Sequence, residues 1–140
     1  MKSYLNIGVA VDTPSGLLVP VLRDCGAKSA KDLSAELGAI SEKARAKGLA
    51  MAEMSGGSIT LTSLGHIGGT AFTPIVNAPE VAILGVTRIQ VRAAPDADGG
   101  LVWRKLMPLS LSYDHRVVNG VDAARFVVAV GQALDAFRFD

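Results

Sequence analysis

A mixed β-sheet covered by helices, an α/β protein of the α+β kind, is the architecture this sequence predicts. Three observations carry the prediction. Residues 29–47 and 119–137 each place apolar side chains at helical spacing. Five other segments are rich in β-branched residues or alternate apolar with polar ones. The order, strand-strand-helix-strand-strand-strand-helix, is not the strict alternation of a doubly wound parallel sheet.

Residues 4–11 form the first expected strand, through Tyr4, Leu5, Ile7, Val9 and Val11. Asp12-Thr13-Pro14-Ser15-Gly16 reads as a turn, since Pro14 fixes φ and Gly16 tolerates positive φ. A second strand over 17–22 completes an expected hairpin. In the helix at 29–47, Ser29 and Asp32 have the spacing of a capping box. Leu33, Leu37, Ile40 and Ala44 make its apolar stripe. Lys43, Arg45 and Lys47 sit near its end, where the helix dipole favours cations, and Gly48 stops it.

A short strand is expected over 58–63, followed by the glycine-rich loop Gly65-His66-Ile67-Gly68-Gly69. Pro74 and Pro79 bracket an irregular stretch. Strands are expected over 81–91 and 101–113, joined by a turn at 95–100. The last helix, 119–137, offers Val121, Ala124, Val127, Val128, Gly131, Leu134 and Phe137 as core candidates.

The chain has 140 residues, the size of one domain with a core of its own. One cysteine, Cys25, excludes an intrachain disulfide framework and a cysteine-rich zinc site. Two histidines, His66 and His115, leave little for a metal centre, and no metal is expected. With 14 basic and 13 acidic residues the balance argues against a nucleic-acid binder. No apolar run reaches the roughly 18 residues of a membrane helix, and no signal-peptide pattern opens the chain. The expectation is a soluble intracellular protein outside the membrane. Its mean hydropathy of +0.35 is high for a soluble domain and points to burial between subunits or against further residues of its own domain.

Two segments are candidates for chemistry. The glycine loop at 65–69 follows a strand, but it lacks the G-x-G-x-x-G pattern and a phosphate-binding lysine. It reads as a tight connection, with His66 a surface or packing histidine rather than a ligand. Residues 112–120, Ser-Tyr-Asp-His-Arg-Val-Val-Asn-Gly, join a strand end to a helix start. The His115 imidazole could take a proton from a thiol or hydroxyl. The bland alternative is a helix entry, with Asp114 and Arg116 paired and Asn119 capping the helix ahead of Asp122.

Four motifs in order carry a resemblance. They are Asn6 to Leu17 with Val19-Pro20-Val21 and Arg23-Asp24, then Gly57 to Gly65, then Asn77 to Gly85, then Ser110 to Gly120 with its D-H-R-x-x-x-G run. Through them nearly the whole chain resembles the catalytic domain of the dihydrolipoyl acyltransferase component of 2-oxo acid dehydrogenase complexes. Asn77 to Gly85 is most similar to the acetyl-transferring, pyruvate-type members.

The resemblance implies the chloramphenicol acetyltransferase fold, assembled as trimers or larger with sites between subunits. It implies acyl transfer between dihydrolipoyl-lysine and coenzyme A, the lipoyl group being carried on a separate domain. Expected partners are that lipoyl domain, the other components of the complex and further copies of this chain. The bacterial cytoplasm is the favoured location, or the mitochondrial matrix in a eukaryote. His115 would deprotonate the attacking thiol, since the thiolate is the nucleophile. Thr62, where the family usually has serine, would donate to the oxyanion, with Ser63 as fallback. Asn119, where the family usually has aspartate, would support His115. No coenzyme A contact is assigned. Residues 1–140 are expected to be the C-terminal part of the catalytic domain, without lipoyl or subunit-binding domains. The competing expectation is a non-catalytic oligomeric core fragment.

Overall fold

The structure is a computed structural model in which residues 4–138 are described. Its centre is a five-stranded mixed sheet. The strands are β1 (Ile7–Val9), β4 (Val21–Leu22), β5 (Ile59–Ser63), β6 (Ala82–Val86) and β9 (Leu109–Tyr113). Their spatial order is β4-β1-β5-β6-β9. β1, β5 and β6 run parallel, and β4 and β9 pair antiparallel at the two edges.

Four expected strands divide. The first breaks at Ala10 into β1 and β2 (Val11–Thr13), and its partner into β3 (Gly16–Leu18) and β4. Pro20, almost fully buried, has no N–H for the ladder, but its carbonyl accepts from Val9 N at 2.9 Å. The hairpin therefore closes as expected, with its tip, β2–β3, a separate two-stranded ribbon. The expected strand over 81–91 ends at Val86 and restarts as β7 (Gln90–Pro95). The one over 101–113 breaks at Met107-Pro108 into β8 (Leu101–Leu106) and β9. The two breaks lie opposite one another, where Thr87 N donates to Pro108 O. There the β7–β8 ribbon leaves the sheet.

Helix α1 spans Ala30–Lys47. Ser29 Oγ accepts from Asp32 N at 3.2 Å and Asp32 Oδ2 accepts from Ser29 N at 3.3 Å, completing the capping box. Bonds to Ser29 hold the Asp32 carboxyl below its ordinary pKa. Gly48 ends the helix at φ 72°, a conformation that favours glycine. Along the stripe, Leu33, Leu37 and Ile40 are half-buried and Ala44 is buried.

Helix α2 spans Gly120–Ala136. Its expected core face is not core in the single chain. Val121 and Val128 are 59% and 58% exposed, Leu134 and Phe137 about half, and only Ala123 is buried. Among the described residues, nothing covers these exposed apolar side chains of α2. No helix among the described residues is long and apolar enough to cross a membrane.

The pleat sorts the sheet into two faces. Register places Gly8, Thr60 and Ile83 in one row, with Ser112 beside Ile83. It places Thr62, Gly85 and Ser110 in the next row on that face. Residues 70–81 cross this face. The opposite face carries Ile59, Ala82, Leu111 and Tyr113. Those four, with Val118, Ala123 and Phe126 near α2, line a cavity of about 220 Å³.

Candidate active site

The segment between β9 and α2 is built around Asp114. Its backbone N–H donates to Val81 O at 2.8 Å, fastening the end of β9 to the lead into β6. Its C=O accepts from Val117 N and Val118 N, each at 3.0 Å, which closes a turn. Its Oδ1 accepts from Arg116 N at 3.0 Å, and the carboxylate takes the Arg116 guanidinium in a fork, with Nη2 to Oδ2 at 2.6 Å. Arg116 holds the Asp114 carboxyl at about 2, and Asp114 raises the guanidinium further.

His115 is the second residue of this turn. Its side chain faces solvent, with the ring centroid 5.6 Å from that of Tyr113 and the planes tilted by 44°. Beside it opens a cavity of about 590 Å³, lined in part by Val76, Pro79, Glu80, Tyr113, Asp114 and Arg116.

Asn119 is the N-cap of α2. Its Oδ1 accepts from Asp122 N at 2.9 Å and its Nδ2 donates to Asp122 Oδ2 at 2.6 Å. Both ends of the amide thus bond to Asp122, and no bond joins Asn119 to the imidazole. Thr62 lies on the face crossed by residues 70–81, half-buried and without a hydrogen-bond partner among the described residues. Ser63 points to the other face, is exposed, and its Oγ accepts from Gly65 N at 3.3 Å. His66 is exposed in its loop. Among the described residues no group of three His, Cys, Asp or Glu side chains could hold a metal ion.

The structure does not bring Thr62 and His115 together within one chain. Thr62 is level with Ser110, and Tyr113 lies three residues further along β9, level with Ala82. At roughly 3.3 Å per residue that is about 10 Å along the sheet. His115 lies two residues beyond, where the chain turns toward α2 on the opposite face.

Three residues near these positions escaped the sequence reading. Phe72 lies on Gly85, beside Thr62: a Cβ there would stand 2.7 Å from its Cζ. Glu80 Oε2 accepts from Thr60 Oγ1 at 2.6 Å, and its other carboxylate oxygen occupies the space a Cβ at Gly57 would need. Tyr113 flanks His115. The available signal was the glycines at 57 and 85, since glycine at or inside a strand marks a close approach.

The site thus sets a solvent-facing histidine at a strand-to-helix turn of a mixed sheet whose one face carries hydroxyls. The chain superposes with a TM-score of 0.92 and 53% identity on dihydrolipoamide acetyltransferase of Azotobacter vinelandii, covering 96% of this chain and 55% of that one. That structure comes from a crystallographic and enzymatic study of the roles of a serine, a histidine and an asparagine in the catalytic mechanism. It superposes with a TM-score of 0.91 and 55% identity on the cubic core of a pyruvate dehydrogenase multienzyme complex, covering 95% of this chain and 54% of that one.

The chain belongs to the 2-oxoacid dehydrogenases acyltransferase (catalytic domain) family, whose model matches residues 1–139. Among curated relatives it is 56% identical over 138 residues to the dihydrolipoyllysine-residue acetyltransferase component of the pyruvate dehydrogenase complex of Azotobacter vinelandii. That match covers 98% of this chain and 21% of the relative. The component of the same name in Buchnera aphidicola is 49% identical, the match covering 99% of this chain and 35% of the relative. The chain thus spans a fifth to a third of these relatives' length and just over half of the solved chains.

Proposed function

We propose that this chain transfers an acetyl group between dihydrolipoyl-lysine and coenzyme A as part of the core of a 2-oxo acid dehydrogenase complex of the pyruvate type. The observation that carries the reading is His115, held facing solvent on a hydrogen-bonded turn in a chain 56% identical to an acetyltransferase component. The chain is read as the C-terminal part of that catalytic domain. Its partners are a lipoyl domain, the other components of the complex and further copies of itself, as a trimer or larger. The named relatives are bacterial, which supports the bacterial cytoplasm as its location.

The His115 imidazole takes the proton of the attacking thiol. The thiolate adds to the thioester carbonyl and its C=O electrons move to oxygen. A hydroxyl donates to that oxyanion. The intermediate collapses, the C–S bond to the first carrier breaks, and the departing thiolate takes its proton from the imidazolium. Coenzyme A and the lipoyl thiol are both substrates.

In the Azotobacter study the histidine and asparagine are four residues apart, as are His115 and Asn119, which supports including Asn119 in the site. There the serine precedes the histidine by 52 residues, a spacing that leads to Ser63 without a gap and to Thr62 with one residue inserted between. Thr62 is favoured because it is half-buried beside Phe72 and its hydroxyl has no hydrogen-bond partner among the described residues.

The separation of Thr62 from His115 favours a second reading for the isolated chain, an inactive fragment when monomeric. The test of the function is acetyl transfer from acetyl-coenzyme A to dihydrolipoamide, comparing the parent with His115→Ala. Loss of at least ~100-fold with folding retained is expected. Activity within a few-fold of the parent refutes His115 as the base.

A further inference from the structure

We propose that Asp114 is a positioning residue for His115, acting through Arg116, and that the D-H-R triplet is a single mechanical unit. The proposal rests on the reading of His115 as the thiol base.

Every polar group of Asp114 is engaged in holding the turn on which His115 stands. Its N–H reaches back to Val81, its C=O spans the turn to Val117 and Val118, and its carboxylate spans His115 to take the N–H of Arg116. The guanidinium then closes over that carboxylate through Nε to Oδ1 at 2.9 Å, Nε to Oδ2 at 3.1 Å and Nη2 to Oδ2 at 2.6 Å. The carboxylate is 22% exposed and the guanidinium 89%, so the cation lies on the solvent side of the acid.

An exposed ion pair contributes little to folding, so stability alone does not explain so complete a set of bonds. Geometry does. The residue between the paired side chains has its backbone held at both flanks, and its ring stands beside that of Tyr113. A thiol base must meet the S–H within hydrogen-bonding reach, and a misplacement of ~1 Å can cost ~100-fold in rate. The other charged groups near the turn are Glu80, across the cavity and bonded to Thr60, and Asp122 of α2, bonded to Asn119.

The test uses the full chain and three variants. Asp114→Ala removes both the turn acceptor and the ion pair. Asp114→Asn keeps an oxygen for the Arg116 N–H, and Arg116→Gln removes only the fork. In the acetyl-transfer assay, Asp114→Ala is expected to lower kcat ~10–100-fold with KM for coenzyme A within ~2-fold. Asp114→Asn should recover most of that loss. Proton NMR of the His115 ring gives a readout without turnover: the ring-current shift from Tyr113 should collapse toward a free-imidazole value in Asp114→Ala and persist in Asp114→Asn. Should Asp114→Ala fail to fold, Arg116→Gln is expected to show a smaller loss of the same kind. Parental kcat in Asp114→Ala, an unmoved His115 resonance in that variant, or no recovery in Asp114→Asn overturns the proposal. If the parent transfers no acetyl group while the resonances move as described, the thiol-base reading has failed and the positioning role stands.

Discussion

At the scale of single residues, Asn119 shows how one side chain can be asked for two things. Its amide oxygen caps α2 and its amide nitrogen donates to the Asp122 carboxylate. Asn119→Ala is expected to destabilise the fold by about 0.5–2 kcal/mol. Asn119→Asp keeps the cap oxygen but sets a second carboxylate beside Asp122, a repulsion worth roughly 0.5 kcal/mol. That repulsion raises the folded-state pKa of the pair. The deficit should therefore be present at pH 7 and vanish as pH falls below ~4, which urea unfolding at the two pH values would register. If Asn119 also supports His115, the added carboxylate raises the imidazole pKa and moves the acid limb of the pH–rate profile upward. Superimposable profiles would remove Asn119 from the site. The pH dependence of the Asp114–Arg116 pair runs the other way. Its carboxyl is depressed to about 2, so its contribution is complete above the ordinary value of 3.8 and is lost as pH falls toward 2. The pair therefore persists wherever a neutral imidazole can act. The cap and the turn were legible in the sequence because both are local, set by spacings of two and three residues. The absence of an Asn119–His115 bond was not legible, since spacing does not say which of two nearby partners an amide takes.

At the scale of elements, the strand breaks and the glycine contacts carry the lesson. Pro20 and Pro108 were visible in the sequence, yet the apolar pattern continues through both, so periodicity alone read one strand where there are two. Only the partner strands reveal that the ladder lacks a donor at each proline. Residues 70–81 have no periodicity to read, and what fixes them is tertiary. Glu80 bonds to Thr60 and fits against Gly57 and Gly8, while Phe72 and Pro74 lie on Gly85. Gly57→Ala should collide with the Glu80 carboxylate and cost about 1–3 kcal/mol, a typical overpacking penalty. Glu80→Ala leaves the buried Thr60 hydroxyl without its acceptor, at a cost of about 1–3 kcal/mol. Because the first substitution clashes with what the second removes, the double variant should be more stable than the sum of the two losses predicts. Denaturation midpoints of the three variants decide it, and strict additivity would show that Glu80 does not occupy the Gly57 hollow in solution.

At the scale of the whole molecule, composition and topology ask for the same thing. A mean hydropathy of +0.35 leaves apolar surface uncovered, and much of it lies on α2 and on the β7–β8 ribbon, where Leu101 and Trp103 are each 76% exposed. The register of β5, β6 and β9 separates Thr62 from His115, so two copies are needed if both are to act on one thioester. The sequence made the apolar excess legible but not its location, because helical spacing marks a face as apolar without saying whose surface covers it. Self-association is therefore expected, and sedimentation at micromolar concentration should show species larger than the monomer. Mixing two inactive variants tests the shared site more sharply. His115→Ala lacks the base and Thr62→Val lacks the hydroxyl, so each alone should be inactive or nearly so. Coexpressed in equal amounts and assembled at random, they place an intact Thr62 opposite an intact His115 at about a quarter of the interfaces. Acetyl transfer near ~25% of the parent is then expected, with no new contact required. A mixture no more active than its components, in a preparation shown to contain mixed oligomers, would mean that base and donor act within one chain, and that Thr62 is not the donor.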